Sequence, residues 1–319
     1  MTTSVLVLGG GPDSEREVSI KSAHFITEAL CAAGFAVRNE TIERITADEL
    51  KAMPGEVIFP ALHGGWGEGG PLQDLMEYDG RPFVGSGSRA ARWAMDKIAT
   101  KLAAAGLGIA TPPAHVLDVR DAACPLAFPV VMKPVHEGST VGLYICRDAR
   151  EWGRALRTME EERAGGAGGG GAGGERAYMI EPCIVRGDGR KGRELTVGVI
   201  DGAALPVIEI TPADGTYDYE AKYIRNDTQY TVEPKLPTGV TERVQKQTAE
   251  LAGVMGVRHL ARADFMLDDA GTAWFLEINT LPGFTDHSLV PMASRHAGVP
   301  MPELCTRLVK MALRDAARA

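Results

Sequence analysis

Short apolar runs alternate with longer amphipathic stretches over the first part of the chain. Ser14 and Glu17 have the spacing of a capping box, which predicts that a helix begins there and continues to about Ala33. Apolar runs predict strands over residues 5–8, 35–42 and 57–62. Strands that alternate with helices indicate a parallel sheet with both faces covered, so we expect an α/β domain that ends near Gly87.

The rest of the chain predicts further strands and helices in mixed order. Residues 164–174 consist only of glycine and alanine, a composition that forms no packed element and predicts a flexible surface linker. An Asp-Gly pair at 201–202 has the chemistry of a tight hairpin turn. Strands are expected over 114–117, 128–133, 141–146, 178–184, 194–200, 205–210, 262–267 and 273–278. Helices are expected over 88–105, 148–163, 240–255, 288–296 and 302–317.

Four polar side chains in the last predicted hairpin give the clearest chemical signal. Side chains alternate along a strand, so Arg262 and Asp264 share one face, and Glu277 and Asn279 share one face of the next strand. A hairpin loop of two or four residues places all four on the same side. Two carboxylates and an amide oxygen suit a hard cation such as Mg²⁺, and a solvated strand face with an ion pair to Arg262 is the open alternative. The core-facing side is expected to consist of Phe265, Leu267, Leu276 and Ile278.

Other candidate residues lie where predicted strands end. Lys133 ends a buried strand before a loop of small residues, which lets backbone N–H groups approach a phosphate, although a plain turn explains the pattern as well. Glu15 and His63 also follow buried strands, where open α/β sheets bind ligands. Helix-dipole stabilisation for Glu15 and a loop hydrogen bond for His63 are open alternatives. The polar, aromatic segment 217–223 predicts either a surface connection or a lid over a substrate.

Composition excludes some classes of function without selecting one. The 319 residues are enough for about two domains. A formal net charge of -8 disfavours nucleic acid as the main partner, because phosphate binding requires a basic face. No run is apolar and long enough to predict a membrane span. Five scattered cysteines form no CxxC pair and predict free thiols in a reducing cytosol: Cys31, Cys124, Cys146, Cys183 and Cys305.

Seven short motifs follow one another along almost the whole chain. They are Ser-Glu-Arg-Glu-Val-Ser at 14–19, Ala-Leu-His-Gly at 61–64, Met-Asp-Lys at 95–97, Glu-Gly-Ser-Thr-Val-Gly at 137–142, Tyr-Asp-Tyr-Glu-Ala-Lys-Tyr at 217–223, Glu-Ile-Asn-Thr at 277–280 and His-Ser-Leu-Val-Pro at 287–291. In this order they resemble the motifs of the D-alanine–D-alanine ligases of the ATP-grasp superfamily. The resemblance implies an N-terminal α/β domain over 1–87, then a central ATP-grasp lobe over 88–184 and a C-terminal lobe over 185–319 that enclose the nucleotide.

The resemblance implies an ATP site and a metal site. Lys97 and Lys133 would hold the phosphates, and Lys222 would reach the γ-phosphate from a closed loop. Glu181 lies in the segment that would bind adenine, and Glu194 would accept hydrogen bonds from the ribose hydroxyls. Two Mg²⁺ or Mn²⁺ ions would be held by Asp264, Glu277 and Asn279.

Amino-acid substrate residues are implied in the same way. Glu15 would take the ammonium group of the first D-alanine, with His63 nearby, and Ser139 and Tyr223 would link to Glu15 across the closed site. Four positions are implied for the second D-alanine and for the ligation step. Ser288 and Leu289 would bind the carboxylate of the second D-alanine, and Arg262 with the backbone N–H of Gly283 would stabilise the oxyanion of the ligation step.

The implied protein is a cytoplasmic, homodimeric enzyme of cell-wall synthesis, and two other possibilities stay open. One is a related ligase that makes D-alanyl-D-lactate or D-alanyl-D-serine, although Lys222-Tyr223 resembles the dipeptide-forming type. The other is an inactive nucleotide-binding protein, which would be expected to lack a metal ligand or Arg262. Leu281 stands where the family usually has serine, Pro182 stands where lysine is common, and the connection at 186–193 is longer than expected.

Overall fold

The computed structural model describes residues 2–118, 123–138, 141–164, 176–212 and 228–318. Its N-terminal part consists of β1 (Ser4–Gly10), α1 (Arg16–Ala32), β2 (Ala36–Ile42), α2 (Ala47–Ala52), β3 (Val57–Pro60), α3 (Gly64–Gly67) and α4 (Pro71–Asp79). The three strands form a parallel sheet in the order β2-β1-β3, and helix α1 packs on it. The predicted parallel α/β arrangement is therefore confirmed.

The first helix begins one residue later than the capping-box pattern predicts. Glu15, not Ser14, is the residue before the helix, and it makes no side-chain cap. The N–H of Arg16 donates to the carbonyl of Asp13 at 3.1 Å, so a backbone turn closes the entry to the helix instead. The hydroxyl of Ser19 accepts a hydrogen bond from the N–H of Gly10 at 2.9 Å. This bond fixes the glycine turn against α1 and holds Glu15 at the carboxyl end of β1.

The helix predicted over 88–105 is two helices, α5 (Ser88–Met95) and α6 (Lys97–Gly106). Asp96 separates them, because its backbone is extended (φ −85°, ψ 101°). Its carboxylate accepts hydrogen bonds from the N–H groups of Ile98 and Ala99 at 2.9 and 3.0 Å and so caps α6. The break starts a new helix at Lys97, whose N–H donates to the carbonyl of Val135 at 3.2 Å.

A small antiparallel sheet follows. It contains β4 (His115–Val116), β5 (Val130–Pro134), β6 (Tyr144–Cys146) and β7 (Tyr178–Pro182), in the order β4-β7-β5-β6, with α7 (Ala149–Ala164) on one face. Trp152 of α7 is almost fully buried against Val130, Met132 and Ile180 of the sheet. Burial on that face leaves the other face of β5 and β7 to form a wall of the site described below.

The last part of the chain is built on a six-stranded antiparallel sheet. Its strands are β8 (Arg193–Ile200), β9 (Ala203–Ala204), β10 (Ile208–Thr211), β11 (Gln229–Val232), β12 (Leu260–Leu267) and β13 (Ala273–Asn279), in the order β11-β10-β8-β12-β13 with β9 beside β8. The strand predicted over 205–210 begins only at Ile208, as β10, and β9 is a separate short strand before it. Pro206 lies between the two strands and has no N–H to continue a ladder. The helices are α8 (Val240–Val254), α9 (Leu289–His296) and α10 (Met301–Ala316).

Two cores join parts that are distant in the sequence. Ala94 and Ala104 of α5 and α6 pack with Phe265 and Phe275 of the six-stranded sheet. The end of the chain returns to the beginning, because Leu304 and Leu308 of α10 pack with Val7 and Phe59 of the first sheet. The division at residues 87 and 184 stays a prediction. Within the part of the chain that the structure describes, none of the helices is both long and apolar enough to cross a membrane.

A buried histidine connects three of these parts and makes stability depend on pH. The Nδ1 atom of His259 accepts a hydrogen bond from the N–H of Gly85 at 2.9 Å, and its Nε2 atom lies 3.1 Å from a carboxylate oxygen of Asp315. Nδ1 can accept only when it carries no proton, so the fold requires the neutral ring with its proton on Nε2. Burial lowers the pKa of His259, although the Asp315 carboxylate opposes this.

We expect the free energy of unfolding to fall as the pH drops below the unfolded histidine pKa of about 6.5. The folded pKa is depressed, so the contribution of His259 is complete above that value and is lost as pH falls toward the folded pKa. The slope contributed by one proton is at most about 1.4 kcal/mol per pH unit. Denaturant unfolding between pH 5 and 8 measures it. His259→Gln should flatten the dependence of the free energy of unfolding on pH relative to the wild type. The control His115→Gln, which replaces an exposed histidine, should leave that dependence unchanged. Equal slopes in the wild type and both variants would contradict the proposed effect of His259 on stability.

Candidate active site

A cleft lies between the four-stranded and six-stranded sheets. Its lining combines apolar side chains with lysines, an arginine and carboxylates. The apolar lining residues are Val131, Leu143, Ile145, Ile184, Met266 and Leu276. The charged ones are Lys97, Lys133, Glu137, Glu181, Lys191, Glu194, Arg262, Asp264 and Glu277. The apolar lining residues, called the apolar slot below, suit the flat base of a nucleotide, and the charged residues suit its anionic phosphate chain.

Two lysines converge on one buried carboxylate in the wall of the cleft. Val131 and Glu181 are opposite each other in the β5–β7 ladder, so Lys133, two residues further along, shares the face of Glu181. The Nζ atoms of Lys133 and Lys101 lie 2.6 and 2.7 Å from the two oxygens of Glu181. Burial acts to raise the pKa of Glu181, but the two lysines outweigh it and hold the pKa below its usual value. Sequence reasoning missed Lys101; its signal was its position four residues after Lys97 on one helix face.

Lys97 connects this wall to the strands opposite. It is buried, its Nζ atom donates to the carbonyl oxygen of Glu137, and it lies 3.3 Å from a carboxylate oxygen of Glu277. The guanidinium group of Arg176 in turn lies 3.2 Å from the side chain of Glu137. Lys97 therefore stands between the loop that follows β5 and the acidic end of β13, as expected for a group that contacts bound phosphates.

Glu194 lines the cleft beside the connection where the chain departs from the family pattern. Its carboxylate is 2.8 Å from the Nζ atom of Lys191. Residues 186–190 form a tight turn closed by a 2.7 Å bond between the N–H of Arg186 and the carbonyl of Arg190. The side chain of Arg186 pairs with Asp269 in the β12–β13 turn at 3.1 Å. The longer connection thus folds back on the hairpin that carries the acidic residues. Pro182, the other departure in this region, lines the cleft.

The predicted polar face of the last hairpin is present. Arg262 is opposite Asn279 and Asp264 is opposite Glu277 in the β12–β13 ladder, as the alternation pattern predicts. A bulge after Asp264 shifts the register. Leu276 therefore lies in the cleft lining, and its predicted place in the core is wrong. The core side is completed instead by Ala273 and Phe275, together with the expected Phe265, Leu267 and Ile278.

The oxygen ligands on this face fit a divalent cation. Two carboxylates directly opposite each other in a ladder repel, and a cation between them removes that repulsion. Asp264 is held by Arg262 (3.0 and 2.8 Å) and by the hydroxyl of Thr196 (2.6 Å). The amide oxygen of Asn279 accepts from the N–H of Leu281 at 2.7 Å and keeps a second lone pair. Among the described residues, no three His, Cys, Asp or Glu side chains form a metal cluster, so the set is two carboxylates and one amide.

The N-terminal part of the chain contributes three buried titratable groups near this face: Glu15, His63 and Glu68. Burial lowers the pKa of His63, and the charge of Arg262 adds to this, while Glu15 and a hydrogen bond with the Leu281 backbone oppose it. Burial raises the pKa of Glu68 well above its usual value, and the charge of Glu15 raises it further. Sequence reasoning missed Glu68, because its glycine-rich surroundings give no local sign of burial.

The loop before α9 brings the predicted second-substrate residues together. The hydroxyl of Ser288 accepts a hydrogen bond from the N–H of Thr285 at 2.8 Å. A Cβ atom on Gly283 would lie 3.0 Å from that hydroxyl, so a larger residue would crowd the loop. The N–H of Phe284 donates to the hydroxyl of Ser22 on α1 at 3.1 Å, and Leu289 lines the cleft. The loop therefore lies against the helix that follows Glu15.

The described part of the chain includes Leu281, the remaining departure from the family pattern, but not three of the predicted site residues. Leu281, which replaces the usual serine, is buried near Gly85. Ser139, Lys222 and Tyr223 lie outside the described residues, as do most of the glycine-alanine segment and the whole of segment 217–223, so those predictions stay untested. The structure brings eight of the other predicted residues to the lining of one cleft: Lys97, Lys133, Glu181, Glu194, Arg262, Asp264, Glu277 and Leu289. Five others are not in that lining: Glu15, His63, Asn279, Gly283 and Ser288. The individual roles of all of them stay predictions.

Known proteins resemble the chain over its full length. The family model described as D-ala D-ala ligase C-terminus matches residues 174–310. A D-alanine–D-alanine ligase of Bordetella avium is 39% identical over 98% of this chain and 96% of its own length. One of Syntrophotalea carbinolica is 37% identical over 96% of this chain and 94% of its own length.

Solved structures of D-alanine–D-alanine ligases resemble the fold of this chain. A D-alanine–D-alanine ligase from Bacillus anthracis complexed with ATP superposes with a TM-score of 0.80 at 30% identity, covering 100% of this chain and 99% of that one. The ligase from Coxiella burnetii gives 0.81 at 25% identity, covering 99% and 95%. Because sequence and fold match almost end to end, the chain belongs to the D-alanine–D-alanine ligase family and has its ATP-grasp fold.

Proposed function

We propose that the protein uses ATP to join two D-alanines, giving D-alanyl-D-alanine, ADP and phosphate, for peptidoglycan synthesis. The observation that carries the proposal is the polar face of β12 and β13. Arg262, Asp264, Glu277 and Asn279 are all present there, in register, and face the lysines of the opposite wall. An inactive nucleotide-binding relative would need none of these four groups in that arrangement.

ATP is assigned to the cleft with its base in the apolar slot. Glu181 stands in the adenine-side strand, Glu194 accepts from the ribose hydroxyls, and Lys97 and Lys133 neutralise the phosphates. Lys222 is assigned to the γ-phosphate from the resemblance. Two Mg²⁺ or Mn²⁺ ions would be held by Asp264, Glu277 and Asn279, and when bound they would neutralise charge on the phosphate oxygens.

The first D-alanine binds beside the N-terminal domain, with its ammonium group at Glu15 and with His63 adjacent. Its carboxylate oxygen attacks the γ-phosphorus, and the bond from that phosphorus to the β-phosphate oxygen breaks, which releases ADP and leaves D-alanyl phosphate. His63 is buried and has a lowered pKa, so it stays neutral and does not compete for Glu15. Ser139 and Tyr223 are assigned to closing this region against water, which would hydrolyse the acyl phosphate.

The second D-alanine binds with its carboxylate at Ser288 and Leu289. Its amine attacks the acyl carbon, and Arg262 with the backbone N–H of Gly283 stabilises the negative oxygen of the tetrahedral intermediate. Collapse of that intermediate breaks the carbon–oxygen bond to phosphate, and the nitrogen that bonded to the acyl carbon on attack loses a proton to the departing phosphate or to water, which leaves the peptide bond. A nucleotide substrate and an acyl phosphate intermediate fit a cytoplasmic enzyme, and the family resemblance supports a homodimer, which sedimentation of the purified protein tests.

The first experiment measures ADP release from ATP and Mg²⁺ with D-alanine, L-alanine, D-serine and D-lactate, and identifies each product by mass. We expect release with D-alanine alone, and D-alanyl-D-alanine as the product. A mixed product with D-lactate or D-serine would reassign the second subsite. ATP binding without release for any of the four compounds would overturn the proposed reaction and favour a non-catalytic nucleotide-binding protein.

A further inference from the structure

Lys101 is a buried lysine behind the wall of the cleft. It projects from α6, is 4% exposed, and is not among the residues that line the cleft. Its Nζ atom lies 2.9 Å from the hydroxyl of Thr111, 3.0 Å from the carbonyl oxygen of Pro112 and 2.7 Å from a carboxylate oxygen of Glu181. The contacts with Thr111 and Pro112 are hydrogen bonds that the ammonium group donates, and the contact with Glu181 is an ion pair. Lys101 is therefore a charge held by protein groups outside the lining of the cleft.

Lys133 differs from Lys101 in its access to the cleft. It also pairs with Glu181, at 2.6 Å, but it lines the cleft and so faces the nucleotide. In the proposed function it contacts a phosphate of ATP, which requires its ammonium group to be shared with, or turned away from, Glu181. Glu181 is 2% exposed, and a buried carboxylate without a cationic partner is strongly unfavourable.

We propose that Lys101 is a positioning residue that balances the charge of Glu181, so that Lys133 is free to bind the phosphate chain of ATP. The inference rests on the proposed function, and it assigns to Lys101 a role that acts only through Glu181. With Lys101 present, the group of two lysines and one carboxylate carries one excess positive charge, which the anionic nucleotide takes up. Without Lys101, Glu181 and Lys133 form a closed neutral pair, and phosphate binding must break it.

The environment of Lys101 adds a pH dependence. Burial lowers the pKa of Lys101 to about 8, the charge of Lys133 lowers it as well, and the charges of Glu181 and Glu277 oppose the shift. These groups face it from β5, β7 and β13. The ammonium form is present at neutral pH and is lost as pH rises through about 8, so ATP binding should weaken there.

The first test is Lys101→Met. We expect the KM for ATP to rise about 30-fold or more, because one partner of a buried charge pair is removed, while the KM for D-alanine stays near the wild-type value. Lys246→Met is the matched control, since the Lys246 side chain is 75% exposed and pairs with Glu250 on α8. Circular dichroism and thermal unfolding check that both variants fold.

The second test separates the charge role from a packing role. In the Glu181→Gln background no buried carboxylate needs balancing, so adding Lys101→Met should raise the KM for ATP several-fold less than it does in the wild type. An equal cost in both backgrounds, or an unchanged KM for ATP in Lys101→Met, would overturn the inference. If the wild type itself showed no D-alanine-dependent ADP release, the proposed function would fail instead.

A third variant covers the case in which Lys101→Met does not fold. Arginine keeps its charge at every pH of interest, so Lys101→Arg should remove the rise in the KM for ATP above pH 8 that the wild type shows. The same rise in Lys101→Arg and in the wild type would count against the proposal.

Discussion

Arg262→Ala should lower the rate of dipeptide formation by about 10²–10³-fold, the usual cost of removing one oxyanion-stabilising donor. The affinity for ATP should change little, because the phosphate contacts are assigned to Lys97 and Lys133. The guanidinium group makes two parallel hydrogen bonds to Asp264, at 3.0 and 2.8 Å, and is mostly buried. Its planar shape and fixed position let it meet a negative oxygen without rearrangement.

Without Arg262, Asp264 still has a hydrogen-bond donor beside it. The hydroxyl of Thr196 still donates to it at 2.6 Å, so the strand face should survive the substitution. Steady-state rates and the dissociation constant for ATP, measured by calorimetry, separate the two effects. Arg262→Lys retains the charge and loses the paired hydrogen bonds, so we expect an intermediate rate.

Arg243→Ala provides the matched control for this experiment. Arg243 donates a hydrogen bond to the carbonyl of Gly271 in the turn of the same hairpin and is not among the residues that line the cleft. Its loss should leave the rate unchanged. Should Arg262→Ala keep more than a tenth of the wild-type rate, or lose ATP binding to the same extent as ligation, the oxyanion assignment would have to be abandoned.

The sequence predicts the acidic hairpin well because its determinants are local. Alternation fixes which side chains of a strand share a face, and a short loop fixes the pairing of Asp264 with Glu277. The bulge that moves Leu276 into the cleft depends on how β13 meets its neighbours, and no residue type marks it. The register close to the turn therefore differs from prediction while the register at the four polar residues agrees.

The two helix errors have a different cause. Ser14 is a residue type that often caps a helix, but here the carbonyl of Asp13 accepts a hydrogen bond from the N–H of Arg16, the first residue of the helix. At Asp96 the opposite occurs, since a side chain that ends one helix also caps the next. Helix propensity alone does not distinguish an aspartate inside a helix from one between two helices.

Buried charge is the property that the sequence predicts least. Lys101 and Glu68 look like ordinary surface residues in the sequence, and each is buried only because distant segments cover it. Glu181 illustrates the same limit. Its place on an apolar strand can be predicted, but its two lysine partners come from α6 and β5 and meet only in the folded protein. The electrostatics of the site is therefore a tertiary property, although most of its polar residues can be identified from motifs.

Glu277→Gln should lower the ligation rate by at least about 100-fold, because a metal ion in such a site supplies several kcal/mol of charge stabilisation. Without metal, the free energy of unfolding of Glu277→Gln should stay within about 1 kcal/mol of the wild-type value. The substitution removes repulsion from Asp264, worth about 0.2–1 kcal/mol, and also removes a partly exposed ion pair with Lys97, worth about 0–1 kcal/mol. These two effects have opposite signs and similar size.

The measurement is ADP release as a function of Mg²⁺ concentration, together with thermal unfolding with and without Mg²⁺ and ATP. In the wild type, Mg²⁺ with ATP should raise the unfolding temperature, and Glu277→Gln should lose most of that increase and require more Mg²⁺ for its residual rate. Glu250→Gln, which removes an exposed carboxylate on α8, is the control and should match the wild type in both assays. If Glu277→Gln kept the wild-type Mg²⁺ dependence, Glu277 would not be a metal ligand. The opposed carboxylates would then serve only to position Lys97 and Arg262, because those are the cations that contact them in the structure.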